Sequence, residues 1–116
     1  MGEIDELETD ITKDMGEGIM VSANALPPAT HIPLNNFILD LATLGGFAEG
    51  CGHMVYGNEG CGKTTLWIQV VASLLRKYPK GYVVWVDVEK KFDTLWAEKH
   101  GVDISRVKLV RPSTGE

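Results

Sequence analysis

Apolar positions are sparse over residues 1–17, where Ile4, Leu7 and Ile11 interrupt a polar run, so this stretch is either a weak helix or a loose solvated tail. Gly18-Ile19-Met20-Val21 has the length of a short strand. Ala25-Leu26-Pro27-Pro28 reads as an extended linker, because proline disfavours helix in the residue before it. Asn36 is placed to cap a short helix over 37–44, with Phe37, Leu41 and Leu44 on one packing face and Gly45-Gly46 ending it. His53-Met54-Val55-Tyr56 is a brief apolar strand that runs into a glycine-rich turn. The segment that follows, 66–75, is apolar on most sides, as expected of a helix packed on a sheet and covered by neighbours. Arg76 and Lys77 suit its C-terminal dipole, and Pro79 with Gly81 stops it. The run 82–86 is β-branched and aromatic throughout, the pattern of a strand buried on both faces of a parallel sheet. A short helix over 93–99, closed by Gly101, and a strand over 107–110 complete the order strand, helix, strand, helix, strand, which predicts an α/β fold.

Composition narrows the class. With 116 residues, 44% hydrophobic and 23% charged, the chain fits one soluble globular domain at most and no low-complexity class. The net charge of -5 argues against a basic footprint for nucleic acid or anionic lipid. That charge is uneven: Glu3, Asp5, Glu6, Glu8, Asp10, Asp14 and Glu17 oppose only Lys13, a net -6 over 1–17, which leaves +1 for the remainder. Residues 1–30 therefore read as an acidic segment with a linker, and 31–116 as the folded body. Cys51 and Cys61 are too few for a disulfide framework and read as reduced thiols. The start lacks a signal-peptide pattern and no apolar run approaches 18 residues, so a cytoplasmic compartment is expected.

The chemistry concentrates in Gly57-x-x-x-x-Gly62-Lys63-Thr64, the phosphate-loop pattern, placed between a strand and a helix. Gly57, Gly60 and Gly62 permit backbone angles that let successive amides face phosphate oxygens. Lys63 brings a charge to the outer phosphates, and the Thr64 hydroxyl suits the Mg2+ that bridges them. The helix adds its positive end. The candidate nucleotide-holding segment is thus Gly57, Asn58, Glu59, Gly60, Cys61, Gly62, Lys63, Thr64 and Thr65. Cys61 is either a thiol of lowered pKa near a helix start or a small residue tolerated in a tight turn. Asp87 and Glu89 follow the apolar run 82–86. Asp87 resembles a magnesium-holding aspartate, yet it lies only one helix and one turn beyond Lys63, so Glu89 is the preferred catalytic carboxylate and Asp87 a structural one. No guanine-recognition motif of the Asn/Thr-Lys-x-Asp type occurs, which disfavours a GTPase.

Ile32-Pro-Leu-Asn-Asn-Phe-Ile-Leu-Asp40, Gly45-Gly46-Phe47, Gly52-His-Met-Val-Tyr-Gly57, the loop with Glu59 and Thr64-Thr65, Val86-Asp-Val-Glu89, Trp96-Ala-Glu-Lys-His-Gly-Val-Asp103 and Pro112-Ser-Thr-Gly-Glu116 together resemble the RecA family of recombinases in order and spacing. Ile32-Pro33 and Arg76-Lys-Tyr-Pro79 look closest to the phage branch, of the UvsX type. The resemblance implies a phosphate-loop NTPase of RecA type: a mostly parallel sheet with flanking helices, incomplete at its C-terminal side. It implies ATP with Mg2+ as cofactors, single-stranded DNA as partner, self-association into a filament, and strand exchange in recombination and repair. By position it makes Glu89 the water-activating glutamate, Asp93 the aspartate bonded to adenine, and Trp96 the aromatic stacked on the base, where core packing would equally explain a tryptophan. Lys90 and Lys91 are more basic than the family's usual residues there. A chain ending at Glu116 would lack the family's later strands and DNA-binding loops, leaving unpaired edges and exposed apolar faces. Two alternatives share the fold or the chain: a ring-forming helicase or clock-type motor, and a non-catalytic fragment that joins filaments.

Overall fold

The computed structural model describes residues 2–113. Helix α1, Glu3–Met15, carries Glu3, Asp5 and Glu6 in its first turn and Lys13 in its last, which matches the sign of the helix dipole at both ends. None of its residues is buried, so the acidic stretch is helical but unpacked. The strand expected over 18–21 is absent: Gly16 and Gly18 take φ of 102° and 80°, and these left-handed positions break any extended run. A short 3-10 turn, Ala23–Ala25, replaces the start of the expected linker, and Leu26 is extended as Pro27 requires.

Strand β1, His31–Ile32, pairs antiparallel with β2, Phe47–Ala48. Gly46 makes that pairing possible, because a Cβ there would lie 1.9 Å from the Ile32 carbonyl oxygen. Between them α2, Phe37–Ala42, is capped by the Asn36 side chain, which accepts from the Leu39 amide. The expected packing face of α2 is not packed: Phe37 and Leu44 are 82% and 85% exposed. The helix is held instead by Asp40, whose Oδ1 accepts from the Leu34 amide at 2.7 Å, and no described element covers the Phe37 and Leu41 side.

Helix α3, Lys63–Lys77, extends beyond both ends of the apolar run. At its C-terminal end the Arg106 guanidinium donates to the carbonyls of Leu75 at 2.9 Å and of Tyr78 and Pro79 at 3.0 Å, satisfying acceptors that a helix end leaves orphaned. Strand β3, Val83–Val86, pairs in parallel with β4, Val107–Val110, in the register Val83 to Val107 through Val86 to Val110. Helix α4, Thr94–Lys99, is capped by Asp93 and closed at Gly101, where φ is 84°. Ile68, Val71, Ala72 and Leu75 of α3 form the main core with Ala97, Val102 and Val107. Val70 joins Ile32 and Leu34 in a second cluster.

Three expectations are corrected here. The sheet is not one mostly parallel layer but two pairs of strands, one parallel and one antiparallel. Residues 53–56 form no strand, because no described strand pairs with them, and Met54 and Tyr56 stand 86% and 88% exposed. Strand β3 is covered on one face only, with Trp85 against Phe92 at 5.0 Å, while Val84 and Val86 are exposed. Its strand edge and α3 border a groove of about 440 Å³ lined by Trp67, Val70, Val71 and Leu74.

A polar cluster ties the end of α3 to the β1–β2 pair. Glu49 accepts from Lys77 Nζ at 2.8 Å, from the Tyr78 hydroxyl at 2.7 Å and from the Thr30 hydroxyl. Lys77, then Thr30 and Tyr78, hold the Glu49 carboxyl down at about 2, against an ordinary value of 4.5. The unfolded chain takes up that proton first on acidification, so the cluster's contribution is complete above about pH 4.5 and is lost as pH falls towards about 2. Thermal melts across that window are therefore expected to show a steeper fall in Tm for the wild type than for Glu49→Gln; parallel slopes would contradict the role of the cluster. In the main core, Leu75→Ala is expected to cost about 2–5 kcal/mol by urea unfolding, since Leu75 is 2% exposed at the centre of α3 packing. A loss below about 1 kcal/mol would mean that this helix is not the centre of the core.

Candidate functional site

The turn leading into α3 is built from glycine geometry. Gly60 and Gly62 have φ of 71° and 95°, the left-handed region that side chains disfavour. Gly57 is constrained differently: a Cβ there would lie 2.8 Å from Cys61 Sγ, so a side chain at 57 would require the exposed Cys61 thiol to turn away. Cys61 closes the inner bend by donating its amide to the Asn58 carbonyl at 3.4 Å. Both cysteines are exposed free thiols.

Lys63 folds back over this turn. Its ammonium donates to the Gly57 carbonyl at 2.7 Å and the Asn58 carbonyl at 2.8 Å and lies 3.9 Å from Cys61 Sγ. The first hydrogen bond of the helical ladder runs from the Leu66 amide to the Gly62 carbonyl. Among the described residues no protein acceptor takes the amides of Gly62, Lys63, Thr64 or Thr65. Four backbone donors, a helix N-terminus and one ammonium thus converge on the same end of α3, a donor set with the sign and geometry of an anion cradle. Glu59 is exposed on the turn.

Thr64 borders a second feature, a cleft of about 260 Å³ lined also by Asp87, Val88, Glu89, Lys91 and Phe92. The fold therefore brings Thr64 and Glu89 to one cleft from opposite sides of a 25-residue separation in the chain. The two acidic residues that follow β3 differ sharply. Asp87 is buried, and its carboxylate accepts from the amides of Lys91 and Phe92, each at 3.1 Å, and pairs with Arg111 at 3.3 Å. Burial alone would raise its pKa; the Phe92 and Lys91 amides and the Arg111 charge outweigh burial and hold it below the ordinary aspartate value. Lys90 follows Glu89 with φ of 57°, which folds the turn so that the amides of Lys91 and Phe92 reach Asp87. Glu89 is exposed, with Lys91 Nζ at 3.3 Å.

Asp93 and Trp96 occupy the start of α4. Asp93 Oδ1 accepts from the Trp96 amide at 3.0 Å, the N-cap bond of that helix. The Trp96 indole Nε1 donates to Thr65 Oγ1 at 3.2 Å, so α4 touches the first turn of α3 through a side-chain bond that nothing in the linear sequence signals. Arg111 and Arg106, which anchor Asp87 and the end of α3, were equally invisible as site-shaping residues, because each acts across the fold. For a magnesium ion, the described residues offer no cluster of three or more His, Cys, Asp or Glu. The exposed Thr64 hydroxyl beside the donor set fits an ion whose remaining ligands are phosphate oxygens and water. No helix among the described residues is long and apolar enough to cross a membrane.

Comparison with known proteins agrees over nearly the whole chain. The family described as RecA N-terminal domain matches residues 3–116. The chain is similar to Protein RecA of Borrelia duttonii, with 32% identity over 97% of this chain and 32% of that protein. It is similar to Protein RecA of Porphyromonas gingivalis at 35% identity and of Thermus thermophilus at 34%, in each case over 91% of this chain and 32% of the relative. The chain spans about a third of the length of these curated relatives. It belongs to the RecA N-terminal domain family.

Proposed function

We propose that this chain is the nucleotide-binding portion of an ATP-dependent DNA recombinase of the RecA type, nearest its phage branch, with 1–30 as an acidic leading segment and 31–116 as part of the ATPase core. The observation that carries the reading is the convergence of four acceptor-free amides and the Lys63 ammonium at the start of α3. In the whole protein the activity would be filament formation on single-stranded DNA and strand exchange, in the service of recombination and repair.

On this reading Lys63 exchanges the uncharged carbonyl acceptors of Gly57 and Asn58 for the anionic oxygens of the outer phosphates of ATP, an ion pair in place of two ammonium–carbonyl bonds. Gly57, Asn58, Glu59, Gly60, Cys61 and Gly62 shape the cradle, and Thr64 and Thr65 present hydroxyls beside it. The Thr64 hydroxyl would hold magnesium, which when bound would supply neutralisation of the phosphate charge. Glu89 lies in the cleft that Thr64 also lines, where its exposed carboxylate can orient a water for in-line attack on the γ-phosphorus and accept its proton. Asp87 takes no part in that step: its oxygens hold the turn on which Glu89 stands. Asp93 and Trp96 would meet the adenine base, the indole offering a broad π-face. The isolated chain would bind nucleotide weakly and turn it over negligibly.

Calorimetric titration with Mg-ATP tests this. The wild-type chain is expected to bind saturably, and Lys63→Ala to lose at least tenfold in affinity, about 1.4 kcal/mol; equal affinities would remove the lysine from the site. The two carboxylates separate by a different readout. Asp87→Asn is expected to lower Tm clearly, whereas Glu89→Gln should melt like the wild type and bind Mg-ATP as well; the reverse order would exchange their roles.

A further inference from the structure

Threonine hydroxyls inside helices commonly turn back to the carbonyl four residues earlier. Two threonines here do so: Thr9 donates to the Asp5 carbonyl at 2.8 Å and Thr43 to the Leu39 carbonyl at 2.7 Å. Thr65, in the first turn of α3, makes no such bond among the described residues; its Oγ1 instead accepts from the Trp96 indole at 3.2 Å. An indole N–H can only donate, so the bond fixes one lone pair of Oγ1 and leaves the hydroxyl proton free to donate elsewhere. The indole is itself held in place. Its backbone amide is pinned by Asp93 at 3.0 Å, and the His100 ring packs on it at 4.6 Å with an interplanar angle of 58°.

From this geometry we propose that Trp96 is a positioning residue for Thr65: its N–H fixes Thr65 as a donor, aimed at a phosphate oxygen of the nucleotide held by the turn 57–65. The role rests on the nucleotide reading above and adds to it a mechanical link, through which α4 and the phosphate cradle order one another. Any base-stacking role of the Trp96 ring is separate, since the link uses the ring nitrogen rather than the ring face.

The test uses the full chain labelled with 15N at tryptophan indoles, the Trp96 signal being assigned by its disappearance in Trp96→Phe. Without nucleotide, Thr65→Val is expected to move the Trp96 indole N–H resonance, while Thr65→Ser, which restores a hydroxyl, should leave it near its original position. With Mg-ATP, Trp96→Phe and Thr65→Val are each expected to weaken binding about five- to tenfold, and the double variant to be no weaker than either alone, because both remove the same bond. Losses that multiply in the double variant, or an indole signal indifferent to Thr65→Val, would overturn the link while leaving nucleotide binding intact. A wild-type chain that shows the indole shift but binds no Mg-ATP would overturn the nucleotide reading and this role together.

Discussion

Among the described residues, helix α3 is the one element that enters both hydrophobic clusters. One side gives Ile68, Val71, Ala72 and Leu75 to the core shared with α4 and β4; the other gives Val70 to the cluster with Ile32 and Leu34. Burial on two sides explains why a helix with only modest polar anchoring at its start is fixed in direction. Its N-terminal amides, without protein acceptors among the described residues, therefore lie beside the turn that the glycines at 57, 60 and 62 shape. The opposite end is fixed by different means, through Arg106 on the terminal carbonyls and Glu49 on Lys77 and Tyr78. The position of the cradle is thus a consequence of core packing rather than of the turn alone.

The pair Asp87 and Glu89 shows how one short turn leaves two carboxylates in different surroundings. Asp87 is placed where apolar surroundings would penalise its charge, and it is kept ionised by two amides and a guanidinium. That arrangement fixes the turn, and Lys90 accepts a left-handed backbone to complete it. Glu89, two residues later, is left exposed at the cleft with Thr64, free of the backbone bonds that would commit it to structure. A buried anchor beside an exposed acid suits a site in which position and proton transfer are separate tasks.

Elements whose signals are local were legible in the sequence. The cap at Asn36, the short helix ending at Gly101, the long apolar run of α3 and the strands β3 and β4 all fall where the pattern placed them, while the capping role of Asp93 emerges only from the structure. The glycine turn was legible too, because positive φ at Gly60 and Gly62 is a property of the residues themselves. Failures arose where neighbours decide the outcome. His53 to Tyr56 has the composition of a strand, but a strand needs a partner, and among the described residues none adjoins it. Phe37, Leu41 and Leu44 follow helical spacing, but spacing cannot supply a surface to cover them. The β1–β2 pair is two residues long on each side, too short for periodicity to register. Long-range polar contacts such as Trp96 to Thr65 and Arg111 to Asp87 have no sequence signature at all, since each depends on the fold being complete.

The claim at the centre is that the amides at the head of α3 receive an anion. An amide-resolved NMR titration of the uniformly 15N-labelled chain with Mg-ATP addresses it most directly. Saturable shifts concentrated at Gly60, Gly62, Lys63, Thr64 and Thr65 are the predicted result, with much smaller movement along α1 and α2. Amides in that turn that stay unmoved at saturating nucleotide, or shifts confined to another part of the chain, would contradict it.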